Sequence, residues 1–310
     1  MTKAPKLVAI VGPTGVGKSA LAMTLAARFD GEVVNADSRL VYRGMDIGTA
    51  KPSKVDQRAI RHHLIDLVEP TDPFNLAQYL DVARTAIEEI QGREKLPFLV
   101  GGTGLYAFGV LDGIEAPKVP ANWEMRKTLE ERANAEGVES LMADLGKLDP
   151  DTAAHIDRHN LRRVVRALEV CLETGQPFSA LRGREEPPYE ALVLGLTMER
   201  KELYRRVNRR VEEMLAAGWV DEVRTLMAAG CVANTSSMSA LGYRDIMAFL
   251  NGAMSIEDTV SRIQQTTRRF ARRQSAWFRP ADPRIHWLEA SVAPEISSQV
   301  LVSEFIARQA

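Results

Sequence analysis

Short apolar runs alternate with longer segments of helical periodicity up to about residue 110. Leu7-Val8-Ala9-Ile10-Val11 has no polar interruption, the pattern of a strand covered on both faces in a parallel sheet. Ala20–Phe29 follows and is rich in good helix formers. Glu32–Asp37 reads as a second strand, with a loop running on through Gly48-Thr-Ala-Lys-Pro52, and His63–Asp66 as a short third strand. A helix is expected over Leu76–Ile90 with Asn75 as its N-cap. Leu96–Val100 is then a fourth strand, opening onto Gly101-Gly-Thr-Gly104 and another helical run. Alternation of this kind predicts a parallel sheet flanked by helices.

Pro117 and Pro120 break the alternation, and Pro187-Pro188 break it again. Between them Asn122–Asn134, Glu139–Leu148 and Leu161–Glu173 have helical character and no clear strand. Residues 116–189 are therefore read as a helical insertion into a core domain built from 1–115 and 190–310. Leu192–Thr197 returns to the sheet, and the remainder is mostly helical apart from a terminal strand at Arg284–Leu288.

Composition narrows the class. The 310 residues are 45% apolar and 26% charged, ordinary for a soluble globular protein with a sizeable core. A net charge of −1 removes any global bias toward nucleic acid and leaves only local clusters to consider. No apolar stretch approaches the ~20 residues needed to cross a bilayer, and the first apolar run leads into a glycine loop rather than a signal-peptide cleavage site. Cys171 and Cys231 lack metal-ligand spacing and are expected as buried thiols in a reducing cytoplasm. Adjacent His62 and His63 suit one chelate site poorly and are read as structural, while Met198, Met214 and Met227 are read as core.

The chemistry begins at Gly12-Pro13-Thr14-Gly15-Val16-Gly17-Lys18-Ser19, a complete G-x-x-x-x-G-K-[ST] phosphate loop between a strand and a helix. Its backbone amides and the helix N-terminus suit a diphosphate or polyphosphate, with Lys18 reaching the outer phosphates and the Ser19 hydroxyl holding Mg²⁺. The fold class expected is α/β: a P-loop NTPase-like parallel sheet with a helical insertion domain. Asp37 and Thr103 fall at the carboxyl ends of their strands, the edge where open parallel sheets bind ligands. Asp37 is placed to take a proton from an incoming nucleophile, and Thr103 to donate a hydrogen bond to the diphosphate. On chemistry alone a small-molecule kinase and a diphosphate-eliminating transferase fit equally well.

Residues 259–281 contain six arginines (262, 268, 269, 272, 273 and 279) and no acid. The pairs 268/272 and 269/273 crowd like charge at helical spacing, which costs a helix unless an anion is near. Trp277 and Phe278 follow, suited to stacking on unpaired bases. Arg162, Arg163 and Arg166 make a second basic cluster, in the insertion.

Taken in order, these segments resemble the bacterial tRNA dimethylallyltransferases over nearly the whole chain. The phosphate loop is similar to that family's, and Asp37-Ser-Arg-Leu-Val-Tyr-Arg-Gly-Met-Asp-Ile-Gly-Thr-Ala-Lys-Pro52 is similar to its most distinctive signature. His63–Asp66, Leu99–Tyr106, Arg166–Val170, Ala240–Arg244 and Arg272–Arg279 follow in family order. The resemblance implies transfer of a dimethylallyl group from its diphosphate to the exocyclic amine of the adenosine just 3′ of the tRNA anticodon. It makes Asp37 the base, and Thr103, Lys18 and Ser19 with Mg²⁺ the stabilisers of departing pyrophosphate. Asp37, Ser38, Arg39 and Leu40 would line the RNA, with Leu161, Arg162, Arg163 and Arg166 from the Leu161–Val165 region and its flank. Ser239, Ala240, Leu241, Gly242, Tyr243 and Arg244 would join them, as would Arg272, Arg273, Gln274, Trp277 and Arg279; Arg126 is a further candidate. The partners implied are the anticodon stem-loop and dimethylallyl diphosphate, with no membrane and no obligate protein partner. A nucleotide kinase, an adenylate prenyltransferase and a non-enzymatic RNA binder remain the alternatives.

Overall fold

All five residues of Leu7–Val11 have 0% exposed surface in the computed structural model, which describes residues 4–181, 183 and 187–308. They form most of strand β1 (Lys6–Val11), the centre of a six-stranded sheet. The others are β2 (Gly31–Asn35), β3 (His62–His63), β4 (Leu96–Gly101), β5 (Glu190–Thr197) and β6 (Ile285–Glu289). The order is β3-β2-β4-β1-β5-β6, and every pair is parallel. A parallel sheet must be covered on both faces, which is why its central strands are continuous apolar runs instead of alternating ones. Leu21 and Leu25 of the helix Lys18–Arg28, and Val302 and Phe305 of the helix Pro294–Ala307, pack into the core beside it. Lys6 ties that last helix down: its Nζ donates to the carbonyls of Phe305 (2.7 Å), Ile306 (2.7 Å) and Arg308 (3.1 Å). These carbonyls lie at the C-terminal end of the helix, where a cation suits the dipole.

Asn75 caps the helix Leu76–Gly92 in a reciprocal box with Gln78, as the pattern predicts. Two strands end earlier than their patterns suggest. The second stops at Asn35 because its side chain takes over the following backbone: Oδ1 accepts the Asp37 amide and Nδ2 donates to the Asp37 and Leu64 carbonyls. The third is only His62–His63, since Leu64 (φ 63°) and Asp66 (φ 56°) adopt left-handed backbone that no strand continues through. A short helix, Lys54–Ala59, follows the loop that ends at Pro52, in a stretch to which the sequence pattern assigns no element, and a Ser53–Asp56 capping box nucleates it.

Both histidines are structural. His63 shares a 2.6 Å hydrogen bond with the buried Glu32, which also takes the Arg93 guanidinium at 2.8 Å. Burial alone would push the Glu32 carboxyl up; the hydrogen bonds from Arg93 and His63 outweigh it and hold the carboxyl below its ordinary value. Cys171 and Cys231 are buried free thiols.

The chain divides into two compact units, one comprising the segments up to Leu111 and from Pro187 onward, the other Asp112–Glu186. The second is helical where described, with Trp123–Glu136, Val138–Leu148, Pro150–His155, Leu161–Thr174 and Phe178–Leu181. Leu141, Leu145, Val164 and Leu168 form its core. Glu169, with no exposed surface, is its polar centre. It accepts both Nε and Nη2 of Arg126 at 2.8 Å, Nη1 of Arg166 at 2.5 Å and the Asn122 amide at 2.7 Å. Arg166 also donates to the Pro117 and Val119 carbonyls. Both guanidinium groups, assigned to RNA on sequence, are thus committed to the fold of this unit.

Replacing Glu169 with alanine strands these two cations. A loss of about 3 kcal/mol in stability is expected from breaking a largely buried ion cluster. Urea denaturation measures it, and a loss no larger than that of an exposed pair, below about 1 kcal/mol, would show the cluster to be dispensable.

Candidate active site

Three chain segments leave the sheet together at its carboxyl edge: the phosphate loop after β1, Asp37 beyond β2, and the Gly101–Gly104 turn at the end of β4. The loop needs its glycines, since Gly12, Gly15 and Gly17 have φ of 143°, 82° and 109°. At Gly12 a Cβ would also lie 2.6 Å from the Leu196 carbonyl oxygen. Thr103 closes onto the second segment: its amide donates to the Ala36 carbonyl (3.2 Å), and its Oγ1 accepts the Ser38 amide (3.1 Å). Asp37 is oriented by the Arg39 amide, which donates to Oδ1 at 2.9 Å.

Lys18 folds back to donate to the Pro13 carbonyl at 2.9 Å. Burial pushes its ammonium down to about 8; the Asp37 carboxylate opposes that shift and the Arg210 guanidinium adds to it. Arg210 is also lowered, first by burial, with Asp37 again opposing. One carboxylate and two cations therefore sense one another at the loop. Arg210 carries no motif of its own. It lies on the helix Arg200–Ala216 amid other arginines, and only the fold singles it out.

A cavity adjoins the loop, lined by Thr14, Gly15 and Arg210 and walled by Val207, Val211 and Met214, with Trp219 and Leu241. Its far wall includes Gly48 and Thr49 from the segment that begins at Asp37. Glu222 holds that segment: Oε2 accepts the Asp46 (2.7 Å) and Ile47 (2.6 Å) amides, and Oε1 the Gly48 amide (3.2 Å) and the Tyr243 hydroxyl (2.7 Å). Lys51 braces it by donating to the Tyr42 carbonyl, Asp46 and Asp66.

The residues expected to face RNA divide by burial. Arg39 reaches the Ser236 carbonyl (3.1 Å) and Ser239 Oγ (3.0 Å), so the Ser38–Leu40 and Ser239 regions do meet. Ser239, Arg244, Arg272, Arg273, Trp277 and Arg279 are exposed, as are Arg162 and Arg163 in the other unit, while Leu40, Leu161 and Leu241 are half-buried. Ala240, Gly242, Tyr243 and Gln274 are buried, because turns and helices send neighbouring residues to opposite sides. The arginine crowding is also thinner than the spacing suggests. Arg262 pairs with Asp245 at 2.9 Å and Arg268 donates to Asn208 at 2.6 Å, leaving Arg269, Arg272, Arg273 and Arg279 exposed.

Residues 40–281 match the family model described as IPP transferase. The chain is 50% identical over 279 residues to a tRNA dimethylallyltransferase from Thermomicrobium roseum, covering 90% of this chain and 85% of that protein. The full-length tRNA isopentenylpyrophosphate transferase of Bacillus halodurans is 39% identical, with TM-score 0.72 and coverage of 98% and 97%. A eukaryotic dimethylallyltransferase acting on tRNA superimposes with TM-score 0.82 at 27% identity, covering 99% of this chain and 80% of its own.

An anion bound at the loop restores the charged form of Lys18, so binding takes up a proton where the free ammonium titrates. Affinity for inorganic pyrophosphate is therefore expected to fall as pH rises through about 8, relative to a Lys18→Arg variant whose guanidinium stays charged. Calorimetric titration of both proteins at about pH 7 and about pH 9.5 checks this, the ligand's own ionisation being common to both. Parallel profiles would mean that Lys18 holds its proton throughout.

Proposed function

The chain belongs to the IPP transferase family, and on that premise we propose that it prenylates tRNA. The donor is dimethylallyl diphosphate, and the acceptor is the exocyclic amine of the adenosine just 3′ of the anticodon. The observation that supports this reading is the gathering of the glycine loop, Asp37 and the Thr103 turn at one sheet edge, with Lys18 and Arg210 both sensing the Asp37 charge. A proton acceptor for the nucleophile and counter-charges for the leaving group thus share one site.

In the reaction the amine nitrogen forms a bond to C1 of the dimethylallyl group as the C1–O bond breaks, pyrophosphate departs, and the amine proton passes to Asp37. Lys18, Arg210 and the loop amides other than Thr14, with Pro13 having none to offer, would meet the charge that builds on the leaving group, and the Thr103 hydroxyl, held against Ser38, would add a hydrogen bond. The apolar wall of Val207, Val211 and Met214 suits the isoprenoid tail. The residues present fit a hard cation of the Mg²⁺ type. Ser19 offers an exposed hydroxyl at the loop, where it would hold the ion together with diphosphate oxygens. When bound, the ion neutralises diphosphate charge.

The adenine must leave its stack to reach such a crevice. Exposed Arg244, Arg272, Arg273 and Arg279 suit phosphates, with Trp277 available for stacking and Ser38, Arg39, Leu40 and Ser239 nearer the crevice. Arg162 and Arg163 offer further phosphate contacts from the helical unit. With tRNA as substrate, the cytoplasm is the expected place of action.

Incubation with Mg²⁺, unmodified tRNA and radiolabelled dimethylallyl diphosphate, with ATP and free AMP in parallel, tests the reading. Label in tRNA without ATP consumption supports it. Label in AMP would make the protein a nucleotide prenyltransferase, and ATP-dependent phosphorylation would make it a kinase. Asp37→Asn is expected to retain tRNA affinity while turnover drops ~100-fold or more, as for loss of a positioned base. Undiminished turnover would remove Asp37 from the chemistry. Combined Arg272→Ala and Arg273→Ala should weaken tRNA binding and flatten its dependence on log[salt] by about 2 in slope. An unaltered slope would return that helix face to solvent.

A further inference from the structure

We propose that Gln274 is a positioning residue that sets the phosphate loop against the turn carrying Thr103. It is the last residue of the helix Ile256–Gln274 and only 4% exposed, although Arg272, Arg273 and Ser275 beside it are exposed. Its Oε1 accepts the Thr14 amide at 2.8 Å, and its Nε2 donates to the Gly102 carbonyl at 2.8 Å. One partner requires an acceptor and the other a donor, a combination that a primary amide supplies and an ionised carboxylate does not.

The turn is shaped around this contact. A Cβ at Gly102 would lie 2.3 Å from Gln274 Nε2, and one at Gly104 would lie 2.4 Å from the Cβ of Trp277. The two glycines flanking Thr103 therefore leave room for two side chains of the Gln274–Trp277 segment. The Thr14 N–H is committed to this bond and is not offered to a phosphate oxygen. Gln274 thus fixes where the remaining loop amides point, and it does so from the helix whose outer side bears Arg272 and Arg273. The assignment rests on reading residues 12–19 as the diphosphate seat and is independent of what accepts the prenyl group.

Gln274→Met, Gly102→Ala and the double variant test it, with Mg²⁺–pyrophosphate binding followed by calorimetry in the absence of RNA and tRNA binding by fluorescence anisotropy. Each single change is expected to weaken pyrophosphate about tenfold, the effect of about one lost hydrogen bond, while tRNA affinity stays within about twofold. Because both act on one contact, the double variant should bind no more weakly than the weaker single one. Should Gln274→Met fail to fold, Gln274→Glu keeps the shape and the acceptor for Thr14 but loses the donor to Gly102, and it is expected to weaken pyrophosphate in the same way. Loss of tRNA affinity with pyrophosphate binding intact would overturn the proposal and make Gln274 an RNA contact. Multiplying effects in the double variant would overturn it too, as would unchanged pyrophosphate binding in the single variants. If the unaltered protein binds no pyrophosphate, the diphosphate seat itself is wrong, and the role of Gln274 falls with it.

Discussion

The parallel register around β1 determines where everything else can stand. Val11 pairs with Gly101 and Asn35 with Val100, so three chain segments emerge from the sheet at nearly the same level. The Ala36 amide then bonds to the Val100 carbonyl and the Thr103 amide to the Ala36 carbonyl, which stitches the second segment to the third. A slip of one residue would turn every side chain to the opposite face and part Thr103 from Asp37. The carboxyl-edge site is thus a consequence of strand pairing before it is a matter of individual side chains.

The same chemical groups serve opposite ends in different parts of the chain. Around Glu169 two guanidinium groups meet a buried carboxylate with its hydrogen bonds filled, and that arrangement holds a helical unit together. Around Asp37 the carboxylate accepts a backbone amide, and Lys18 and Arg210 both lie below their ordinary pKa. Partly desolvated cations with one shared counter-charge form a site whose electrostatics improve when a dianion enters, and little reorganisation is needed at that moment.

Sheet, loop and the helices between Pro120 and Pro187 were legible from sequence because each has a local cause: unbroken apolar runs, glycines at fixed intervals, and helical spacing. The ends of the second and third strands were not, since Asn35 and the left-handed Leu64 override an apolar pattern through hydrogen bonds and backbone angles. The helix Lys54–Ala59 did carry a signal, Ser53 followed three residues later by Asp56, just past the end of the motif at Pro52. Arg210 could not be separated from its neighbouring arginines without the fold. Gln274 shows the reverse problem. Its motif is contiguous in sequence, but a helix end exposes Arg272 and Arg273 and buries the next residue. A linear stretch of expected RNA contacts therefore contains a residue that bonds the phosphate loop and the Gly102 turn instead.

The bond between Thr14 and Gln274 has a consequence for the order in which the molecule is made. Leu7 finds its partner Ala191 only after the helical unit has been synthesised, and the phosphate loop is not braced until the chain has grown past residue 274. On a ribosome emitting the chain from its amino end, the phosphate loop is encoded near the beginning and braced near the end. Long-range closure of this kind slows folding, and it also means that an incomplete nascent chain lacks the brace that Gln274 gives the loop.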